Sequence, residues 1–240
     1  MTQNIMVKPM LSQPIFPLNI RRVNEIFPGF ALGDFAVLQG VSTSSLASVL
    51  CVKAQLPTQL CGLQSKVIFI DGGNTFKLYQ IAQLAQIHHL NPKKVLANIY
   101  ISRAFTVYQA SALITHQLKE TIQKYNAKLV IISDIAGFFL DKDIPEVETQ
   151  RIFSHVTTFL SNFARESHTI VIATYPPHET SSRNDLLHKQ TCSRANAVLA
   201  LSRNSYSRRI ALEKHPYLCV GSVELPDESL TMADFPEATA

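Results

Sequence analysis

The sequence predicts an α/β fold: a mostly parallel sheet flanked by helices, with antiparallel strands at its C-terminal edge. Three observations predict it. The runs "KVIFIDGG" (Lys66 to Gly73), "KLVIISD" (Lys128 to Asp134) and "HTIVIATYPP" (His168 to Pro177) are continuously apolar, as in strands covered on both faces. Helical patterns lie between these runs. Beyond residue 196 the pattern shortens and partly alternates, as in edge strands.

Each element follows in order. "LQGVSTSSLASVL", Leu38 to Leu50, reads as a strand end, a turn and a helix start. "TFKLYQIAQLAQIHHL" spaces Leu78, Ile81, Ala82, Leu84, Ala85 and Ile87 as on a helix, and Asn-Pro closes it. "TVYQASALITHQLKETIQKYN" reads as one amphipathic helix. "EVETQRIFSHVTTFLSNFARES" reads as another, with Ile152, Phe153, Val156, Phe159, Leu160 and Phe163 on its apolar face. "AVLALSRNSYSRRIALEKHP" and "LCVGSVELP" supply the edge strands. The expected organisation is an N-terminal arm (1–17), one core (18–225) and an acidic tail (226–240).

Composition narrows the functional classes. The chain has 240 residues, 46% hydrophobic and 17% charged, enough for one well-buried domain. Its four cysteines form no C-x-x-C pair, which argues against structural zinc and suits a reducing compartment. No signal peptide and no membrane-spanning run is read, so a soluble, cytoplasmic protein is expected, nucleoid-associated if it binds DNA. Net charge is +4, but the last fifteen residues hold four acids and no Lys or Arg. The remainder therefore carries a basic surplus compatible with nucleic acid.

Taken together, the segments resemble the ATPase core of the RecA/RadA recombinase superfamily, in particular its RadA-type branch and paralogues. The resemblance runs from about Asn19 to Leu225. It rests on "VNEIFPGFALGDFAVLQG", "VIFIDGGNTFKLYQI", "VLANIYISRAFTVYQ", "KLVIISDIAGFF", "IVIATYPP" and "KQTCSRANAVLALSRNSYSRRIALEKHP" in collinear order. A RecA-like core is implied, without a counterpart of the small helical DNA-binding domain that often precedes it.

The resemblance also implies four tests of nucleotide chemistry. A phosphate loop needs glycine for close backbone approach, lysine for phosphate charge and Ser/Thr for magnesium. Gly40 is present. The usual spacing puts Ser45, Leu46 and Ala47 at the Gly-Lys-Ser/Thr positions; aligning the helix instead puts Thr43 at the lysine and shortens the loop. No cation stands there either way. Ser42, Thr43, Ser44 and Ser45 offer hydroxyls to an anion, or one of them caps the helix. At the catalytic glutamate position stands Gly73, which cannot act as a base, although Asp71 is kept. At the magnesium-linked aspartate stands Ser133, with Asp134 one residue late and so facing the other way on a strand. Tyr175 replaces the sensor amide.

Four departures point to a catalytically degenerate protein, a pseudo-ATPase that needs no cofactor, with ATP and Mg as the alternative. The family's second DNA loop corresponds to Pro176–Arg194, where Arg183, His188, Lys189 and Arg194 are candidates for single-stranded DNA. The tail carries "FPEA", and Phe235 and Ala238 match the Phe-x-x-Ala motif by which RadA-type proteins dock on a neighbour or partner. The expected partners are a RadA-type recombinase or sister subunit, in an oligomer, with single-stranded DNA and without membrane. Two other functions fit: a structural subunit without DNA work, and a divergent ATPase borrowing Lys53 or a neighbour's cation.

Overall fold

The computed structural model describes residues 15–204 and 207–226. The chain opens with β1 (Ile15–Phe16), α1 (Arg21–Ile26) and β2 (Phe30–Ala31), and β1 pairs antiparallel with β2. Then come β3 (Phe35–Gly40), α2 (Thr43–Lys53), β4 (Val67–Asp71), α3 (Leu78–Ile87) and α4 (Pro92–Ala97). The edge strand β5 (Ile99–Arg103) leads to α5 (Val107–Ala112) and α6 (Leu118–Tyr125), joined by a π-helical turn at Leu113–Gln117. β6 (Leu129–Ser133), α7 (Glu146–Ser167), β7 (Ile170–Tyr175) and α8 (Ser182–Arg194) follow. β8 (Ala197–Arg203), β9 (Ser207–Lys214) and β10 (Gly221–Pro226) complete the described chain.

Eight strands form one sheet in the order β10-β9-β8-β3-β7-β6-β4-β5. Pairing is parallel from β8 to β5 and antiparallel among β8, β9 and β10. The expected mostly parallel sheet with an antiparallel edge is therefore present. Side chains of β3 alternate between two cores. Ala36 and Leu38 belong to the core that holds Leu46, Leu50, Ile81 and Leu84, while Phe35 and Val37 belong to the one that holds Val156, Leu160 and Leu187. The covering of both faces explains why β3, β4, β6 and β7 are apolar without alternation.

α7 matches its predicted bounds. Phe153, Val156 and Leu160 are fully buried, each stabilising by roughly 1.5–3 kcal/mol. Glu146 and Glu148 lie in its first turn and Arg165 in its last, complementing the helix dipole, and His168 closes it in a left-handed conformation.

The structure departs from expectation in four places. Leu78 is 49% exposed and Ile87 38%, because only Ile81, Leu84 and Ala85 of α3 reach the core. The helix expected to run unbroken to Tyr125 is split by its π turn. Phe16, assigned to an arm, is fully buried beside the Phe27–Phe30 edge-to-face pair. Pro176–Arg194, expected as a loop, contains α8. Ser181 caps it by accepting from the Asn184 N–H, and Leu187 and Thr191 fasten it by burial.

Candidate functional site

The C-terminal ends of the parallel strands meet where the sequence placed its nucleotide motifs. Gly40 ends β3 at φ 94°, and a Cβ there would lie 2.1 Å from the Leu201 carbonyl oxygen. Only glycine allows this approach. The next N–H, of Val41, donates to that same oxygen at 3.0 Å. Ser42 then turns at φ 61° and α2 begins at Thr43, so Val41 and Ser42 alone connect strand to helix. The connection is thus short, two residues long.

The hydroxyls do not cap α2, contrary to expectation. An N-cap residue is normally extended, whereas Ser42 is left-handed and its side chain makes no cap bond. Thr43 is 2% exposed, and the Ser44 carbonyl accepts from the Ser48 hydroxyl. Ser45 sends its N–H to the Ser42 carbonyl. Lys53 stands at the far end of α2, fully buried, and Nζ donates to the Pro17 carbonyl at 2.7 Å. Burial lowers its pKa to about 7. A helix of this length puts Lys53 about 15 Å from Thr43, so it cannot serve a phosphate at the junction.

Asp71 and Asp134 hold the neighbouring strand ends. Asp71 is fully buried, accepts from the Thr75 and Phe76 N–H groups at 2.8 and 3.4 Å, and pairs with Arg103 at 3.2 Å. It thereby anchors the turn after β4. Thr75 and Ser133 join hydroxyl to hydroxyl beside it. Asp134 leaves β6 at φ 51°. Its N–H donates to the Thr174 hydroxyl at 2.9 Å, and its Oδ1 accepts from His178 Nε2 at 2.8 Å. Gly73 and Gly137 make room for the carboxylate: a Cβ on either would come within 2.9 or 2.5 Å of Oδ2. Gly73 thus packs against Asp134. Burial raises the Asp134 pKa, opposed by the charge and hydrogen bond of His178.

This pair gives a first prediction. His178→Ala leaves a buried, unpaired carboxylate and is expected to cost about 2 kcal/mol at neutral pH. The Asp134 pKa rises further in the variant, so its deficit shrinks on acidification as the group takes up a proton. Urea denaturation at several pH values checks both parts.

Between the ends of β3, β7 and β8 and the start of α8 lies a cleft of about 330 Å³. Gln39, Tyr175, His178, Asn184, Asp185 and His188 line it, and no lysine or arginine does. The Tyr175 hydroxyl donates to Asn184 Oδ1 at 2.6 Å, and both imidazoles meet its ring edge-on. Burial, with Asp134 nearby, drives the phenol pKa well up. Gln39 bridges His188 at 2.5 Å and Glu213 at 2.6 Å, and Cys192 lies 3.3 Å from Gln39 Oε1.

The DNA candidates separate. Arg183 donates to the carbonyls of Asp141 and Ile144, the latter at 3.0 Å. His188 lies in the cleft. Lys189 and Arg194 are exposed on α8. Phe235 and Ala238 lie outside the described residues. Sequence reasoning missed His178, Gln39 and Asn184. An imidazole directly after Tyr-Pro-Pro at a strand end was the available signal for the first. Among the described residues no helix is long and apolar enough to cross a membrane.

Comparison with known proteins agrees with this architecture. The Rad51 family model matches residues 25–185, more than half the chain. The meiotic recombination protein DMC1 of Saccharomyces cerevisiae is 29% identical over 117 residues, covering 49% of this chain and 32% of DMC1. The DNA repair and recombination protein RadA of Cenarchaeum symbiosum is 28% identical over 122 residues, covering 51% of this chain and 28% of RadA. The matched stretch thus spans about a third of each relative's length. On the family match and the mixed sheet that carries it, the chain belongs to the Rad51 family, within the RecA/RadA recombinase superfamily.

Proposed function

We infer that this protein is a non-hydrolysing Rad51-family paralogue acting in DNA recombination or repair through protein contacts and single-stranded DNA. The β3–α2 junction is the observation that carries this reading. Two residues replace a phosphate loop, Gly40 is locked against Leu201, and the adjoining cleft has no lysine or arginine. These residues do not fit a magnesium triphosphate, which needs free backbone N–H groups and a cation. Gly73 and Ser133, where the resemblance implies acids, point the same way. The names of DMC1 and RadA support recombination or repair as the setting.

Protein contact has a surface to use. β5 is a sheet edge with Ile101 44% exposed, and Phe105 and Tyr108 just beyond it are 75% and 55% exposed. Open strand edges invite pairing with another chain. The partner is a RadA-type recombinase or a sister subunit, and Phe235 and Ala238 are the complementary docking element. DNA contact falls to Lys189 and Arg194.

Fluorescence anisotropy with a labelled oligo-dT checks the DNA contact. Affinity is expected to fall steeply with salt, and K189E with R194E to weaken it about tenfold. Calorimetry with ATP and magnesium is expected to give no binding heat. α8 carries no aromatic residue for base stacking, which favours a second reading as a structural subunit. Absence of salt-sensitive DNA binding would select it. Saturable ATP binding would instead return the divergent-ATPase reading.

A further inference from the structure

The cleft beside Tyr175 presents hydrogen-bond acceptors whose identity is fixed by their neighbours. A carboxylate only accepts, so Glu213 turns Gln39 Nε2 toward itself and Gln39 Oε1 toward His188. An amide oxygen also only accepts, so His188 carries its proton on Nε2. In the neutral ring the lone pair is then on Nδ1. Asp134 Oδ1 accepts from His178 Nε2, so whenever that ring is neutral its lone pair too is on Nδ1. Neither Nδ1 has a hydrogen-bond partner among the described residues. The exposed Asp185 carboxylate lines the same cleft, and no lysine or arginine competes for these acceptors.

Two imidazoles with outer nitrogens tied down resemble the support given to metal ligands. A third ligand is missing, since no group of three His, Cys, Asp or Glu among the described residues could hold a metal ion. An anion is disfavoured by the acceptors themselves. The fitting ligand is a cation with several N–H donors in a plane. His178 and His188 each meet the Tyr175 ring, at centroid distances of 5.7 and 5.0 Å, from the β7 exit and from α8 respectively. A guanidinium fork can reach acceptors arriving from two elements, which a compact ammonium does less well. A cleft of about 330 Å³ suits a single long side chain better than a nucleotide.

We propose that this cleft binds the guanidinium of an arginine presented by a partner protein. His178 Nδ1, His188 Nδ1 and the Asp185 carboxylate accept its N–H groups. Guanidinium binding rests on the reading that no triphosphate occupies this cleft. It weakens on acidification, because a protonated imidazole has no lone pair to offer. The titratable groups around the site include His178, His188, Asp134, Asp185, Glu213, Cys192 and Tyr175, with Asp71 behind Asp134 and Lys214 behind Cys192.

Imidazole ¹⁵N resonances of the full chain report occupancy. Nα-acetyl-arginine-N-methylamide at about pH 8 is expected to shift the His178 and His188 signals saturably, and about tenfold more weakly near pH 5.5. Asp185→Asn, at an exposed position, is expected to weaken binding at both pH values. Silence of this probe at pH 8, or binding indifferent to pH and to Asp185→Asn, overturns the guanidinium site and leaves the non-hydrolysing reading intact. Sodium pyrophosphate shifting the same resonances overturns both, and zinc chloride doing so at stoichiometric concentration overturns the guanidinium site alone.

Discussion

Thr43→Lys will destabilise the protein by roughly 3 kcal/mol and will not create an ATP site. The substitution puts lysine where the helix-aligned phosphate-loop motif requires one. Thr43, however, is 2% exposed in the first turn of α2, and the two-residue connection leaves no ring of N–H groups around it. The ammonium would be desolvated without a counter-charge. Ser44→Lys is the internal comparison, since Ser44 is only half-buried and its replacement should cost less than about 1 kcal/mol. Urea denaturation measures the two costs, and calorimetry with ATP and magnesium measures binding. A Thr43→Lys protein of unchanged stability that binds ATP would sink the closed-junction reading.

Lys53→Met will remove a pH dependence that the parent shows in alkaline solution. The parent's buried amine has its pKa lowered to about 7 from an ordinary 10.5. Below about pH 7 the amine is charged in both the folded and unfolded chain, and the desolvation penalty is felt in full. Between the two values the unfolded chain holds a proton that the folded protein has released, so stability rises with pH, by at most about 5 kcal/mol. Above the higher value the amine is neutral in both. Burial raises the Cys51, Cys192 and Tyr175 pKa values, so these groups lose stability as pH rises and oppose the trend. The readout is therefore the difference between parent and variant across the window. At neutral pH the two should lie close together, since methionine removes a buried charge but leaves the Pro17 carbonyl without its donor. A difference that stays flat from about pH 7 to pH 10 would show that Lys53 is not titrating there.

The interior of the sheet was legible because its information is local. β4, β6 and β7 each announce themselves by five or six consecutive buried residues, and α7 by a stripe that recurs every three or four positions. α8 was not legible. Only Leu187 and Thr191 of its residues are buried, so its apolar stripe is too thin to stand out. Its signal was instead the Ser181–Asn184 cap, a polar pattern that also occurs in loops. The departures from the family's motifs, the lysine missing after Gly40 and then Gly73, Ser133 and Tyr175, are a reading by collinearity. What fills their places could not be read that way. The bonds from Asp134 to His178, Gln39 to His188 and Lys53 to Pro17 join residues 44, 149 and 36 positions apart. No periodicity encodes such meetings; they exist only once the sheet order is known. Ser42 failed as a cap for a related reason: its left-handed turn is imposed by the clamp between Gly40 and β8, an element far downstream.

The central place of β3 bears on how the molecule can be made. Phe35 pairs with Val171 and Ala36 with Ala197, so both of its neighbours are synthesised well over a hundred residues later. At ribosomal rates of about 5–20 residues per second, β3 waits on the order of ten seconds with both hydrogen-bonding edges open. Phe35 and Val37, without exposure in the finished sheet, also wait for the cover of α7 and α8, whereas Ala36 and Leu38 can meet α2 as soon as it is made. The nascent chain thus holds a strand with one apolar face and both edges uncovered until far later elements are made. Such a strand is a natural client for a chaperone at the exit tunnel, and a truncation before β7 leaves it permanently bare.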